Sequence, residues 1–166
     1  MKKLFKDNLL LLLSICLVLF LQLFVVSPTR VSGKSMNHTL QHNDRSFVLK
    51  SDNMKRFDII IFKTINLTGE DKQYVKRVIG LPGEKVSYQN NQLSINDIPI
   101  NETFDIKDQS STGDFSYTLN SDEYFVLGDN RGNSTDSRQF GGVKKSDIVG
   151  KMIYRFYPLH SIGKID

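Results

Sequence analysis

Cysteine is almost absent from the 166-residue chain, and its single occurrence, Cys16, lies inside a long apolar run. An intramolecular disulfide is therefore impossible, so the rest of the chain must be held together by its hydrophobic core. A thiol protease is also excluded, because no cysteine stands outside the apolar run to serve as the nucleophile.

The patterns that mark metal and nucleic-acid sites are missing as well. His38 and His42 have four-residue spacing, but the metalloprotease pattern needs a glutamate after the first histidine, where this chain has Thr39. The two histidines flank no carboxylate cluster, so neither a metal nor another cofactor is expected. The net charge of +4 is spread along the chain without the basic stripe of nucleic-acid binders. It predicts at most a mild preference for anionic lipid headgroups.

One long apolar run is present near the N-terminus. Leu9 to Val26 form 18 residues without a charge. As a helix they would cover roughly 27 Å, which is close to the hydrocarbon thickness of a bilayer. A cleavable signal peptide is the alternative, but its apolar stretch is usually about 7–15 residues long and ends at a small-x-small site. This run is longer and is followed by SPTRVSG, without alanine, which favours an uncleaved transmembrane anchor at residues 9–26.

The charges beside the apolar run predict its orientation. Three lysines precede the run and two basic residues follow it closely, a weak positive-inside signal that keeps the N-terminus cytoplasmic. We expect residues 1–8 to be a short cytoplasmic segment. Residues 27–166 would form one extracytoplasmic domain, long enough for a sizeable core. The predicted location is the cell membrane, crossed once, with membrane lipid as a partner.

The remainder of the chain has strand periodicity and no long stretch with helical period. Short segments rich in β-branched and aromatic residues alternate with turn residues, and KVSYQNNQLSI (85–95) predicts a hairpin that turns at Asn90-Asn91. The expected fold class is mainly β, with antiparallel sheets forming a sandwich or a partly open barrel, preceded by one N-terminal transmembrane helix. The predicted strands are residues 57–63, 73–80, 85–88, 92–95, 123–128 and 151–158.

The predicted strand QYVKRVIG (73–80) holds a lysine between apolar neighbours. Alternation places Tyr74, Lys76 and Val78 on one face and Arg77 on the other. Burial of Lys76 would disfavour its charged form, and an amine with a lowered pKa suits a general base. The alternative is an edge-strand lysine whose side chain extends to water. The segment by itself leaves both interpretations open.

Two further segments carry polar groups in patterns that suit catalysis. GDNRGNSTDSRQFGG (128–142) alternates carboxylates with guanidiniums, which can fix a loop through bidentate ion pairs. An ordinary solvated loop rich in turn formers is the alternative. SGKSMNHTL (32–40) begins six residues after Val26, so Ser35 is either a nucleophile held near the membrane or part of a polar linker.

Four segments resemble sequence boxes of type I signal peptidases, the Ser/Lys enzymes that release exported proteins from their leader peptides. SGKSMNHTL resembles the nucleophile box G-x-S-M-x-P-T-L, and KRFDIIIFK (55–63) resembles the box R-G-D-I-V-V-F. YVKRVIGLPGE (74–84) resembles the lysine box, and residues 128–143 resemble G-D-N-R-x-x-S-x-D-S-R-x-F-G-x-V. The four boxes occur in the family's order after one predicted anchor, as in the compact Gram-positive type.

The resemblance implies a function and a set of site residues. The chain would be a membrane-anchored serine endopeptidase that removes signal peptides from exported preproteins after small residues at positions −1 and −3. Ser35 would attack the scissile carbonyl, and Lys76 would take the serine proton and return it to the leaving amine. Ser134 would hydrogen-bond the lysine amine. The implied supporting ion pairs are Asp129 with Arg77 and Asp136 with Arg138.

The resemblance also implies an oxyanion hole and marks two departures. The Ser35 N–H would be one donor; some relatives have a hydroxyl two residues earlier, where this chain has Gly33, so the second donor would be backbone or water. Residues near Met36 would shape shallow pockets for small side chains. His38 stands in place of proline, so the loop after Ser35 lacks the fixed φ of a proline ring. Phe57 stands in place of glycine and adds bulk to a turn. Neither departure touches Ser35 or Lys76. We therefore expect the chain to keep the peptidase activity and to differ from other family members, if at all, in its choice of substrates.

Three alternatives remain beside the peptidase hypothesis. A non-catalytic membrane-anchored binding protein or assembly chaperone could share the fold, although Ser35 and Lys76 are both present. A self-cleaving repressor-type Ser/Lys peptidase is opposed by the predicted anchor and by the lack of a DNA-binding segment. A Ser–His dyad with His38 is sterically awkward, because His38 is only three positions after Ser35.

Overall fold

Antiparallel β-strands make up most of the chain in the computed structural model, which describes residues 2–20, 25–51, 53–65 and 71–165. The helices are α1 (Lys2–Phe20) and α2 (Ser137–Phe140). The strands are β1 (Val26–Arg30), β2 (Arg45–Leu49), β3 (Ile59–Ile65), β4 (Asp71–Gly80), β5 (Lys85–Gln89), β6 (Gln92–Ile95), β7 (Ile98–Ile100), β8 (Phe115–Thr118), β9 (Glu123–Leu127), β10 (Val143–Lys144), β11 (Ile148–Tyr157) and β12 (Gly163–Lys164).

The larger sheet has the strand order β1-β2-β11-β3-β4-β9-β10, with β12 paired to β11. β3 pairs along β4 from Ile59 opposite Arg77 to Ile65 opposite Asp71. On its other side β4 meets β9 only between Arg77 and Gly80. The preceding part of β4, which carries Lys76, therefore has one edge without a strand partner among the residues described.

The smaller sheet has the order β7-β6-β5-β8. Its β5–β6 hairpin places Gln89 opposite Gln92, so Asn90 and Asn91 form a two-residue turn. Their φ values of 50° and 62° are left-handed, as a type I′ turn requires, and asparagine tolerates that conformation. The hairpin predicted at Asn90-Asn91 is confirmed.

The core consists of three clusters of buried side chains. The first packs Met36 and Leu40, from the segment between β1 and β2, against the adjoining face of the large sheet. The second fills the space around Tyr88 between the small sheet and β9. The third, which includes Phe62 and Val78, covers the opposite face of β3 and β4. The segment that carries Ser35 is therefore fixed to the sheet by its own apolar residues.

Phe57 holds a left-handed backbone conformation, with a φ of 72°. Glycine adopts this region without steric cost, whereas a residue with a Cβ loses about 1–2 kcal/mol there. Two contacts offset the cost: the Phe57 N–H donates to the Val78 carbonyl at 2.8 Å, and its ring packs edge-on against Phe104 at 5.2 Å. This turn is also why β3 begins at Ile59, two residues after the predicted start.

The mainly β, antiparallel part of the predicted fold class is confirmed by these two sheets. No helix within the described part of the chain is long and apolar enough to cross a membrane. The described part of α1 runs to Phe20, and residues 21–24 of the predicted anchor lie outside the described residues. The anchor at residues 9–26 therefore stays a prediction.

Candidate active site

Ser35 and Lys76 meet at the centre of the site. Ser35 lies in the segment between β1 and β2, and Lys76 lies in β4 opposite Ile60. Lys76 Nζ and Ser35 Oγ share a hydrogen bond of 2.7 Å. Proton transfer between the two groups is possible at that distance without any movement of the backbone.

Lys76 is 2% exposed, and this burial decides its charge state. Burial lowers the pKa of Lys76 from 10.5 to about 8. Asp136 and Asp129 oppose the shift by attracting the charged amine, while Arg138 and Lys72 reinforce it. With a pKa of about 8, roughly a tenth of the amine is neutral at pH 7. A neutral amine within reach of a hydroxyl can act as a general base.

Arg77 and Asp129 form a buried ion pair beside the dyad. Arg77 Nε donates to Asp129 Oδ1 at 2.9 Å and Nη2 donates to Oδ2 at 2.8 Å. The Thr39 hydroxyl donates to the same carboxylate at 2.6 Å, and Arg77 Nη1 donates to the Phe57 carbonyl at 2.9 Å. The pair therefore joins the segment after Ser35, the strand that carries Lys76 and the loop after β9.

Asp136 and Arg138 form the second predicted pair. Arg138 Nε donates to Asp136 Oδ1 at 2.8 Å and Nη2 donates to Oδ2 at 2.9 Å. Asp136 also caps α2 by accepting from the Arg138 N–H, and it accepts the Gly128 N–H at 3.1 Å. Arg138 Nη2 donates to the Arg131 carbonyl at 2.9 Å. These bonds hold the loop from Gly128 to Arg138 in one conformation, as the ion-pair interpretation of its sequence predicts.

Ser134 does not make the hydrogen bond expected of it. Its Oγ is buried and has no hydrogen-bond partner among the described residues. The hydroxyl is packed against Gly128, where an added Cβ would lie 2.2 Å from Ser134 Oγ and 2.6 Å from the Ser35 carbonyl oxygen. Ser134 thus lies beside the backbone of Ser35. The hydrogen bond expected between Ser134 and the Lys76 amine is not formed in this structure, where the Ser134 hydroxyl packs against the backbone of Gly128.

Gly33 and Met36 line the cleft from which Ser35 and Lys76 are reached. The cleft has a volume of about 410 Å³ and lies between residues 29–36 on one wall and residues 72–76 on the other. Gly33 has a φ of 102°, and its N–H donates to His42 Nδ1 at 3.2 Å, so this N–H is already used. Met36 is 2% exposed and contributes to the floor of the cleft.

His38 interacts with a different part of the chain. Its Nδ1 lies 2.8 Å from Asp105 Oδ2, and the two side chains are 60% and 67% exposed. A contact so open to water adds little stability, whatever the charge of the ring. Because the Ser35 hydroxyl is bonded to Lys76 and the His38 ring to Asp105, the structure favours the lysine over the histidine as the base.

Two residues that contact the site, Thr39 and Asn130, were assigned no function by the sequence analysis. The Thr39 hydroxyl binds Asp129, and Asn130 donates to the carbonyls of Lys34 and Ser35. Both residues lie inside segments that resemble the family's boxes, so the motif itself was a signal. Their contacts join segments about 90 residues apart, which the sequence does not reveal.

Comparison with known proteins identifies the family. The sequence profile of the family described as signal peptidase, peptidase S26, matches residues 4–157. The chain belongs to this family. A signal peptidase I from Bacillus caldolyticus is 39% identical over 162 residues, which cover 87% of each protein. A signal peptidase IB from Staphylococcus aureus is 35% identical over 156 residues, covering 81% of this chain and 80% of that relative.

A solved structure agrees with this assignment. The crystal structure of a signal peptidase I from Enterococcus faecalis is similar with a TM-score of 0.53 and 36% sequence identity, covering 60% of this chain and 96% of that one. The resemblance found in the four boxes is thereby confirmed, and with it the fold of the β domain. The family consists of serine endopeptidases, so the chain is placed among the hydrolases.

Proposed function

We propose that the chain is a membrane-anchored serine endopeptidase that removes N-terminal signal peptides from exported preproteins after small residues at positions −1 and −3. Ser35 is the nucleophile and Lys76 the general base. The observation that carries the proposal is the 2.7 Å hydrogen bond between Ser35 Oγ and the buried Lys76 amine. The similarity to proteins named signal peptidase I supports the substrate class.

The first half of the reaction acylates Ser35. The neutral Lys76 amine takes the hydroxyl proton as Ser35 Oγ bonds to the scissile carbonyl carbon, whose π electrons move to the oxygen. The Ser35 N–H donates to that oxyanion. Burial disfavours the ammonium that Lys76 becomes, while Asp136 and Asp129 favour it. A pKa of about 8 is the result of this opposition, and it allows Lys76 both to accept and to release a proton near neutral pH.

Breakdown of the first tetrahedral intermediate completes the acylation, and hydrolysis of the ester follows. The ammonium of Lys76 gives its proton to the leaving amine as the carbon–nitrogen bond breaks, and the leader remains as an ester on Ser35. Water then attacks the ester carbonyl while Lys76, neutral again, takes the water proton. Collapse of the second oxyanion breaks the ester bond, and the Lys76 ammonium gives its proton to the departing Ser35 Oγ. No group other than the dyad, water and the oxyanion donors is needed for the balance of protons.

The substrate is proposed to bind in extended form along β4. Residues 72–76 line the cleft, and β9 pairs with β4 only beyond them, from Arg77 onward. A free strand edge can accept another strand through main-chain hydrogen bonds, with specificity supplied by pockets for alternate side chains. Met36 on the cleft floor, buried at 2% exposure, limits the depth of such pockets, which suits small side chains at positions −1 and −3.

A membrane anchor at residues 9–26 is part of the proposal. The leucines between residues 9 and 19 of α1 are about half exposed, for instance Leu11 at 60% and Leu17 at 58%, so this apolar surface is not covered by the β domain and suits contact with lipid. Ser35 comes nine residues after Val26. A signal peptide is itself embedded in the membrane, so an anchored nucleophile meets its cleavage site at the same height. Residues 1–8 are proposed to be cytoplasmic and residues 27–166 extracytoplasmic.

Cleavage is expected to depend on pH through Lys76. The value of kcat/KM should rise about tenfold from pH 6 to pH 7 and level off above pH 9, because the free enzyme needs a neutral amine with a pKa of about 8. Initial rates at low substrate concentration across this range measure the profile. A flat profile from pH 6 to 9 would contradict a lysine base.

The function is tested with the full-length protein in detergent. A precursor with a leader that ends in small residues at −1 and −3 should be cut once, and the mass of the products identifies the junction. A matched precursor with a bulky residue at −1 should stay intact, and the Ser35→Ala variant should be inactive on both. If the parent binds the precursor without cutting it, the non-catalytic binding protein becomes the better hypothesis.

A further inference from the structure

Asn130 is bonded to both sides of the nucleophile's backbone. Its side-chain Nδ2 donates to the Lys34 carbonyl at 3.0 Å, and its backbone N–H donates to the Ser35 carbonyl at 3.0 Å. Asn130 is 3% exposed, so water does not compete for these bonds. The orientation of its amide follows from chemistry, because the Lys34 carbonyl only accepts and must face the amide nitrogen.

The Lys34 carbonyl fixes the direction of the Ser35 N–H, and it accepts from two donors: Asn130 Nδ2 at 3.0 Å and, more weakly, the Asn37 N–H at 3.2 Å. The Lys34 carbonyl and the Ser35 N–H belong to one trans peptide unit, which is planar, so the two groups point in opposite directions. When Nδ2 of Asn130 holds the carbonyl, the Ser35 N–H points in the opposite direction within the peptide plane, away from Asn130. That N–H makes no hydrogen bond to any residue in the described ranges, which leaves it available for a ligand.

The bond to the Ser35 carbonyl fixes the next peptide unit. With the units on both sides of its Cα held, Ser35 has little freedom in φ and ψ, so its Oγ and its N–H keep a constant relation. Both are needed at once, since the oxygen attacks the same carbonyl whose oxyanion the N–H binds.

Asn130 is itself held rigidly. The Arg131 N–H donates to the Lys107 carbonyl and the Lys107 N–H donates to the Asp129 carbonyl, each at 2.9 Å, so the backbone on both sides of Asn130 is tied to Lys107. Asn130 Oδ1 is buried without a hydrogen-bond partner among the described residues. An unsatisfied buried acceptor lowers stability. The fold accepts this cost at a side chain whose donor holds the Lys34 carbonyl, which points to a use for that donor.

We infer that Asn130 is a positioning residue that aims the Ser35 N–H at the oxyanion of the tetrahedral intermediate. The inference rests on the proposed function of Ser35 and extends it to a residue that does not touch the substrate. Asn130 acts only through the two carbonyls that it holds. Its contribution belongs to the transition state, because the oxyanion carries a full charge there and the ground-state carbonyl does not.

The kinetic test replaces Asn130 by alanine. Asn130→Ala should lower kcat by about 10–100-fold, below the loss for removal of an oxyanion donor itself, because the N–H remains and only its direction is freed. KM should change by less than about threefold, because the loss falls on the transition state. Affinity for a peptide boronic acid, which forms a tetrahedral adduct with the serine, should fall with kcat/KM, while affinity for a product peptide should not. The inference is overturned if kcat is unchanged, or if product and boronate affinities fall equally.

A second variant and a control separate positioning from folding. Asn130→Asp keeps the size of the side chain but presents an acceptor to the Lys34 carbonyl. Its added charge can raise the pKa of Lys76, so its kcat is measured on the high-pH plateau of its own profile, where it should fall at least as far as in Asn130→Ala. Asn96→Ala is the control, because Asn96 also binds backbone, accepting the Lys85 N–H at 2.9 Å, but lies in the turn between β6 and β7. It should lower the melting temperature without lowering kcat.

A readout independent of cleavage completes the test. In 15N-labelled full-length protein, Asn130→Ala should shift and broaden the Ser35 amide resonance, and Asn96→Ala should leave it in place. An unshifted Ser35 amide in Asn130→Ala overturns the inference whatever the kinetics show. If the parent cuts no precursor, the proposed function fails, and this spectrum still decides whether Asn130 orients the Ser35 N–H.

Discussion

Lys76→Met is expected to lower kcat/KM for a leader-bearing precursor on the order of 10⁴-fold, the scale of losing an essential general base. Methionine has similar length and fits a buried site, but it cannot take the Ser35 proton. The distance of 2.7 Å between Nζ and Oγ leaves no room for a water to take over as base. Single-turnover cleavage of a precursor measures the loss.

The same variant should be more stable than the parent at neutral pH. Burial lowers the pKa of Lys76 to about 8, below the unfolded value, so the folded state releases its proton first. Below pH 8 the folded state buries a charged amine, which lowers the free energy of unfolding. The parent's free energy of unfolding should therefore rise between pH 8 and 10.5. Lys76→Met removes this cost, which adds about 1–3 kcal/mol to the free energy of unfolding at pH 7.

Lys85→Met is the matched control for both effects. Lys85 is 44% exposed in its pair with Asp97, so its replacement should leave cleavage unchanged and alter stability by less than about 1 kcal/mol. If Lys76→Met kept a tenth of the parent's activity, Lys76 would not be the base. A loss of stability in that variant would show that the buried amine is favourable in the fold.

Arg77→Met is expected to reduce the free energy of unfolding by about 3–5 kcal/mol, because it leaves the Asp129 carboxylate buried without its cation. Both side chains of this pair are 1% exposed, so water cannot replace the guanidinium. The Phe57 carbonyl loses its donor as well. Urea unfolding followed by circular dichroism measures the change.

The double variant Arg77→Met/Asp129→Leu separates the ion pair from general packing. Removing both charges should recover part of the lost stability, because the unpaired carboxylate is gone. It should not recover full activity, since Asp129 also accepts from Thr39 at 2.6 Å and attracts the Lys76 ammonium. Equal stability of Arg77→Met and the parent would mean that the pair does not fix the site.

Local sequence patterns predicted the β5–β6 hairpin and β4, because their side-chain alternation and turn residues are decided within a few positions. β1 and β2 were missed for different reasons. β1 directly follows the apolar run and contains Pro28, which is confined to strand edges. β2 is a five-residue segment whose strand state depends on pairing with β1 and β11. The local sequence of a segment does not reveal which distant segment it pairs with.

The chemistry of the site was predicted better than its contacts. The boxes named Ser35 and Lys76, and the structure places the two side chains in contact across 41 positions. The orientation of Ser134 and the bonds of Asn130 were not predictable, because each depends on how the loop after β9 packs on the segment after β1. Burial of Lys76 was one of two open interpretations, and it took the tertiary structure to choose between them.

The most direct test of the Ser35–Lys76 mechanism is the titration of the Lys76 amine itself. In protein with 13C at the lysine ε positions, the Lys76 resonance is assigned by its absence in Lys76→Met and followed from pH 6 to 11. The lowered pKa predicts a midpoint at about 8. A midpoint near the ordinary lysine value of 10.5 would leave Lys76 charged at neutral pH and contradict its role as the base for Ser35.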